Sequence, residues 1–206
     1  VGRGSREEET AMMNGTVEYY NRNADSFLRE TTSVDFSETQ NMFLKLLPQR
    51  AVILDFGCGS GRDALEFLKQ GYRVDAVDGS ERMCQAAAEL TGLPVRQMFF
   101  QELDETEMYD GIWACSSILH LPRTELKGVL LKLYAALKKN GIIYTSFKYG
   151  TFEGERKGRY FTDFTETSFV SYIGQLNVLK IENMWITADV RPGRREEKWL
   201  NILLRK

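Results

Sequence analysis

The chain has 206 residues, 43% of them hydrophobic and 12% aromatic, enough to bury a full core and better suited to one domain than two. A formal net charge of -2 and a pI near 5.7 give no global attraction to nucleic acid or to an anionic membrane. No run of about 18 or more uncharged apolar residues occurs and no secretion-signal layout opens the sequence, so the expectation is a soluble, cytoplasmic protein without a membrane partner.

The opening VGRGSREEET is polar and lacks an apolar period, and residues 1–12 are expected to be a frayed tail or an expression scar. That leaves 13–206 as a single domain: N-terminal helices over 13–50, a core over 51–148, and a closing region over 149–206. Val17 to Glu30 and Phe36 to Leu47 read as helices. Ala51 to Phe56 is an apolar run that ends in glycines, and Ser60 to Gln70 then carries apolar residues at helical spacing. Tyr72 to Val77 is a second strand ending on Asp78-Gly79, and Ser80 caps a helix to about Leu90, stopped by Gly92 and Pro94. Val95 to Phe99, Gly111 to Cys115 and Gly141 to Phe147 are further strands, with a long helix from Thr124 to Lys138 and a break at Asn140-Gly141. Two alternating periods of this kind predict a mostly parallel α/β sheet. Beyond residue 150, Glu153 to Asp163 is charged and glycine-rich, Thr165 to Gly174 is a short helix, and Val178 to Thr187 faces Lys198 to Leu204 as an antiparallel hairpin.

The stretch Ile53-Leu-Asp-Phe-Gly-Cys-Gly-Ser-Gly-Arg-Asp63 places Gly57, Gly59 and Gly61 between the first strand and its helix, where a ligand can approach bare main chain. Spacing alone admits a dinucleotide as well. The acids decide: Asp55 and Asp63 would repel a diphosphate and attract a cationic sulfonium and amino group. Each also has a plain reading, Asp63 as a helix N-terminal acid and Asp55 as a turn acceptor.

With Asp78 ending the second strand and Tyr109-Asp-Gly-Ile-Trp-Ala-Cys-Ser-Ser117 opening the fourth, this run resembles the class I S-adenosylmethionine-dependent methyltransferases, and among them the small tellurite-resistance-like and methyltransferase-domain proteins of bacteria. The resemblance covers roughly residues 17 to 148. It implies a Rossmann-like seven-stranded sheet with helices on both faces, six strands parallel and the last antiparallel, and S-adenosyl-L-methionine as cofactor. It also implies that Gly57, Gly59 and Gly61 lie along the methionine part, that Asp63 meets its amino group and that Asp78, followed by Gly79, holds the ribose hydroxyls. Gln101 or Glu102 takes the adenine amino group, Met83 covers the adenine unless it is plain core, and Cys115 lies at the fourth-strand exit. Tyr20 or Arg22, in a segment that resembles a lid, reaches the carboxylate; an amphipathic helix packed on the sheet explains the same residues.

His120, the only histidine, follows the fourth strand at the ligand edge of the sheet and suits a general base, or alternatively orders its loop. The segment after the fifth strand, with Tyr149, Glu153, Arg156, Arg159 and Tyr160, reads as a mobile substrate wall. Together with Arg191, Arg194 and Arg195 it makes a basic rim for an anionic substrate, or a solvated face neutralised by neighbouring glutamates. The three cysteines, Cys58, Cys84 and Cys115, show no metal-type spacing, and no metal is expected. The fourth-strand exit lacks the Asn-Pro-Pro-aromatic pattern of base amino-methyltransferases, so the expected acceptor is a small molecule and not nucleic acid. An NAD-dependent oxidoreductase and a catalytically silent cofactor-binding regulator or partner are the rival readings. The sequence does not choose between monomer and homodimer.

Overall fold

The computed structural model describes residues 15–206, so the expected tail at 1–12 lies outside the described residues. Helices over 15–22 (α1), Ala24–Thr31 (α2) and Ser37–Leu44 (α3) precede an alternating series: β1 (Val52–Phe56), α4 (Arg62–Lys69), β2 (Arg73–Asp78), α5 (Glu81–Thr91), β3 (Arg96–Gln97), β4 (Tyr109–Ala114), α6 (Arg123–Ala136) and β5 (Leu137–Lys148). A small hairpin of β6 (Glu153–Arg156) and β7 (Arg159–Thr162) follows, then α7 (Glu166–Gly174) and a long hairpin of β8 (Lys180–Ala188) and β9 (Lys198–Arg205). The seven-stranded sheet has the order β3-β2-β1-β4-β5-β9-β8. Pairs among β1 to β5 are parallel, and β9 runs antiparallel to both β5 and β8, so only the last strand opposes the rest. This is the Rossmann-like sheet with a C-terminal hairpin that the sequence implies.

Strand alternation creates two cores. Ile53 joins Phe67, Trp113 and Tyr144 on one face, while Leu54 and Phe56 join Ile112, Leu130 and Phe147 on the other. Trp113 and Tyr144 are register partners on β4 and β5, and their rings stack at 4.0 Å. Helix α4 feeds Ala64 and Phe67 into the first core, and α6 feeds Leu126, Val129, Leu130 and Leu133 into the second, which covers both faces. Each fully buried side chain of this size contributes about 1.5–3 kcal/mol. Local rules hold at α5: Ser80 Oγ accepts from the Met83 amide at 3.2 Å, and Gly92 ends the helix at a φ of 74°.

Four expectations change. The helix expected from Val17 to Glu30 is interrupted at Asn23, which sits at a φ of -108° and a ψ of 17° and sends both its main-chain and its side-chain N–H to the Tyr19 carbonyl, at 2.9 and 2.8 Å. The third strand shrinks to two residues because Glu102 caps the Phe99 amide at 2.7 Å and turns the chain into a 3-10 helix, Phe100–Glu102. Asn140-Gly141 does not precede β5 but kinks it: Asn140 sits at a φ of 65° inside a strand that begins at Leu137. The charged stretch after Glu153 is a hairpin, turned by Lys157 and Gly158 at φ of 51° and 76°, the left-handed pair that a two-residue turn requires.

The two sides of the sheet differ. β3 offers two residues, whereas β8 offers nine, with Glu182 left out of register between Ile181 and Asn183 and held by Arg205 at 2.7 and 2.9 Å.

Candidate cofactor and acceptor cavity

Strands β1, β2 and β4 deliver their carboxyl ends to one cavity of about 710 Å³. The turn after β1 uses its own donors. The Gly57 and Cys58 amides donate to the Val77 carbonyl, both at 2.9 Å, and the Gly61 amide donates to the Cys58 carbonyl at 2.9 Å. The Gly59 amide donates to Asp78 Oδ2 at 2.9 Å. Gly57 has a φ of 85°, and a Cβ there would sit 2.4 Å from the Ser117 Cβ. Gly57 and Gly59 line the cavity; Gly61 does not, and instead lets α5 approach, since its Cβ would meet Ala87 at 3.0 Å.

The three acids differ from one another. Asp63 is buried and saturated: Oδ1 accepts from Gln40 at 2.7 Å and Arg62 at 2.9 Å, and Oδ2 accepts from Arg62 at 2.9 Å and the Trp113 indole at 2.8 Å. Burial alone would lower the Arg62 pKa, but the Asp63 charge outweighs it and raises it. Arg62, next to Asp63 in the chain, cancels the negative charge that Asp63 would otherwise offer a ligand. Asp55 lies behind the turn rather than in the cavity, with Oδ2 buried and without a partner, and burial followed by the Asp63 charge pushes its carboxyl well upward. Asp78 lines the cavity. Its oxygens accept from the Gly59 and Ser80 amides at 2.9 and 2.8 Å, which leaves each oxygen a second lone pair; burial raises its pKa against these bonds.

Beyond Asp78 the cavity wall is apolar and aromatic: Gly79, Met83, Phe99 and Phe100, with Gln101. Gln101 faces the cavity and Glu102, occupied with the Phe99 amide, does not. Phe99 and Phe100 were not singled out in the sequence, although they stand beside Gln101 at the third-strand exit.

At the far end His120 is buried between two partners. Its Nδ1 lies 2.6 Å from the Tyr160 carbonyl, which can only accept, so Nδ1 carries the hydrogen and Nε2 accepts from the Tyr20 hydroxyl at 2.9 Å. Burial lowers the His120 pKa to about 4, so the imidazole is neutral near pH 7. Tyr20 in turn accepts from Arg159 Nη1 at 3.3 Å. Cys115, Tyr149, Arg156 and Arg191 also line the cavity. Arg22, Glu153 and Tyr160 are not among its lining residues: Arg22 is exposed and paired with Glu18 at 2.7 Å, and Glu153 pairs with Arg123 at 3.0 Å. The expected basic rim is largely neutralised, with Arg191 on Asp189 at 2.6 Å and Arg194 on Glu30 at 3.1 Å. Among the described residues no His, Cys, Asp and Glu cluster could hold a metal ion, and no helix is long and apolar enough to cross a membrane.

Residues 53–141 match the family described as a methyltransferase domain. A Geobacillus protein that carries a provisional methyltransferase name is 34% identical over 100 residues, covering 44% of this chain and 40% of the relative, so the chain spans less than half of that relative's length. The solved 1,6-didemethyltoxoflavin-N1-methyltransferase of Burkholderia thailandensis, with bound 1,6-didemethyltoxoflavin and S-adenosylhomocysteine, matches at a TM-score of 0.77 and 23% identity, over 97% of this chain and 89% of that one. A solved cyclase shares the fold at a TM-score of 0.65 and 14% identity, over 82% of this chain and 80% of the other, so architecture alone does not fix the reaction. None of these proteins carries a tellurite-resistance name. Residues 53–141 match a methyltransferase domain by sequence, and the sheet that holds them has the fold of that solved methyltransferase.

Proposed function

We propose that the protein transfers a methyl group from S-adenosyl-L-methionine to a nucleophile on a small-molecule acceptor. The observation that carries this reading is the glycine turn itself. Its amides at Gly57, Cys58, Gly59 and Gly61 all donate within the protein, so a diphosphate would find them taken, while a sulfur nucleoside needs close main chain and a ribose acceptor. In this reading Gly57 and Gly59 border the methionine part, Asp78 accepts from the ribose hydroxyls, and Met83, Phe99 and Gln101 enclose the adenine near Gly79. Helices α1 and α2 act as the lid: a Cβ on Gly59 would lie 3.3 Å from Phe27, Asn21 accepts from Ser80 Oγ at 2.6 Å, and Asp25 pairs with Arg82 at 2.9 Å.

Bound there, the cofactor supplies an activated methyl carbon on a cationic sulfur, so alignment and exclusion of water do much of the work. The chain adds a proton path. Tyr20 Oη can take a proton from an acceptor as its own passes to His120 Nε2, with the Nδ1 hydrogen fixed on the Tyr160 carbonyl. Titration calorimetry tests the reading: S-adenosylhomocysteine should bind in the micromolar range and NADH should not. Tight NADH binding without any response to S-adenosylhomocysteine would make it an oxidoreductase site.

A further inference from the structure

The cations around the cavity are almost all balanced by a carboxylate. Arg62 sits on Asp63 at 2.9 Å, Arg156 on Asp163 at 2.5 Å, Lys148 on Asp189 at 3.4 Å, Arg191 on Asp189 at 2.6 Å and Arg194 on Glu30 at 3.1 Å. Lys157 and Lys198 are exposed and keep their water. Arg159, on β7, is different. Among the described residues it is the one cavity cation that is neither exposed nor ion-paired. Its Nε is buried without a hydrogen-bond partner, and its guanidinium lies over the rings of Tyr19 at 4.4 Å and Phe161 at 5.2 Å. Withdrawing a cation from water with a donor left unmade is costly, and a bound anion would offset that cost.

We propose that the acceptor is an anion at neutral pH, a small flat acid whose carboxylate or comparable oxyanion binds Arg159 among the surrounding aromatic rings. The proposal rests on the methyl-transfer reading for what the neighbouring turn holds. Arg159 Nη1 reaches Tyr20 Oη, and Tyr20 reaches His120, so an anion on Arg159 stands next to the proton path. An acid already ionised has no proton to surrender, so its oxyanion can attack the methyl carbon as the sulfur–methyl bond breaks without help from His120, which burial makes a weak base. Planar guanidinium faces prefer planar oxyanions, which can be held by two parallel bonds.

The test uses benzoate and its neutral isostere benzamide as probes, by calorimetry on the protein with and without saturating S-adenosylhomocysteine. Benzoate should bind about tenfold tighter than benzamide, with the preference shrinking as salt rises. Arg159→Gln should erase the preference and leave S-adenosylhomocysteine affinity unchanged, and Arg159→Lys should restore part of it. Equal affinities, no benzoate binding, or a preference that survives Arg159→Gln would overturn the proposal. So would a loss of S-adenosylhomocysteine binding in a folded Arg159→Gln, because Arg159 would then hold the cofactor's own carboxylate. If wild-type protein fails to bind S-adenosylhomocysteine, the methyl-transfer reading falls, and the benzoate preference of the unloaded protein still decides the anion site. Should Arg159→Gln not fold, the wild-type preference, its salt dependence and Arg159→Lys carry the decision.

Discussion

The two ends of the cavity are built on opposite plans. At the glycine end, the Gly57, Cys58, Gly59 and Gly61 amides donate internally and Asp63 is wrapped by Arg62, Gln40 and Trp113, which leaves Asp78 as the acid presented to the cavity. At the hairpin end, Arg159 keeps a charge without a counter-ion, beside a buried His120 whose two ring nitrogens are both bonded. A rigid turn that satisfies its own donors suits a cofactor bound the same way each time, whereas a cation without a counter-ion leaves a cost that a bound anion would offset.

The contrast can be broken most severely at Asp63. Asp63→Ala leaves a buried guanidinium and an indole N–H without their acceptor, and should cost about 3–5 kcal/mol of unfolding free energy in urea titrations. A loss below about 1 kcal/mol would mean that the Asp63 network does not hold the glycine end together. Gly57→Ala forces a Cβ into Ser117 from a left-handed backbone and should cost about 3–4 kcal/mol, with S-adenosylhomocysteine binding lost in parallel. At the other end the test is pH. His120 titrates near 4 in the folded protein against an ordinary 6.5, so between those values the unfolded chain holds a proton that the folded one lacks. Stability therefore rises with pH across that window and is lost on acidification from about 6.5 to about 4, by up to about 3 kcal/mol. Asp55, Asp78 and Asp163, whose pKa values are raised, contribute with the opposite sign, so the difference between wild type and His120→Gln isolates the histidine. The smallest effect sharpens the boundary of the site: Arg22→Ala, at an exposed pair outside the cavity, should move Tm by less than about 2 °C and leave S-adenosylhomocysteine affinity intact.

What could be read from sequence follows the range of the interactions involved. Ser80 capping α5 and the glycine turn are decided by residues a few positions apart, and they appear as expected, while the β8–β9 hairpin, whose partners lie farther apart, is legible from the two apolar runs that flank its turn. The partners of Asp63 were not legible because Gln40 and Trp113 lie 23 and 50 positions away in sequence, although Arg62 is its neighbour. The choice between Gln101 and Glu102 depended on a cap that only the turn at Phe99 reveals. The β6–β7 hairpin carried a local signal, Lys157-Gly158 between alternating residues, which its density of charges obscured.

The slipped residue on β8 has a consequence for self-assembly. A nine-residue strand with one free side could template the strand of a second copy, but Glu182 interrupts its ladder and Arg205 fixes that interruption with paired bonds. Deleting Glu182 would straighten the rim of the sheet and turn a guarded flank into a sticky one.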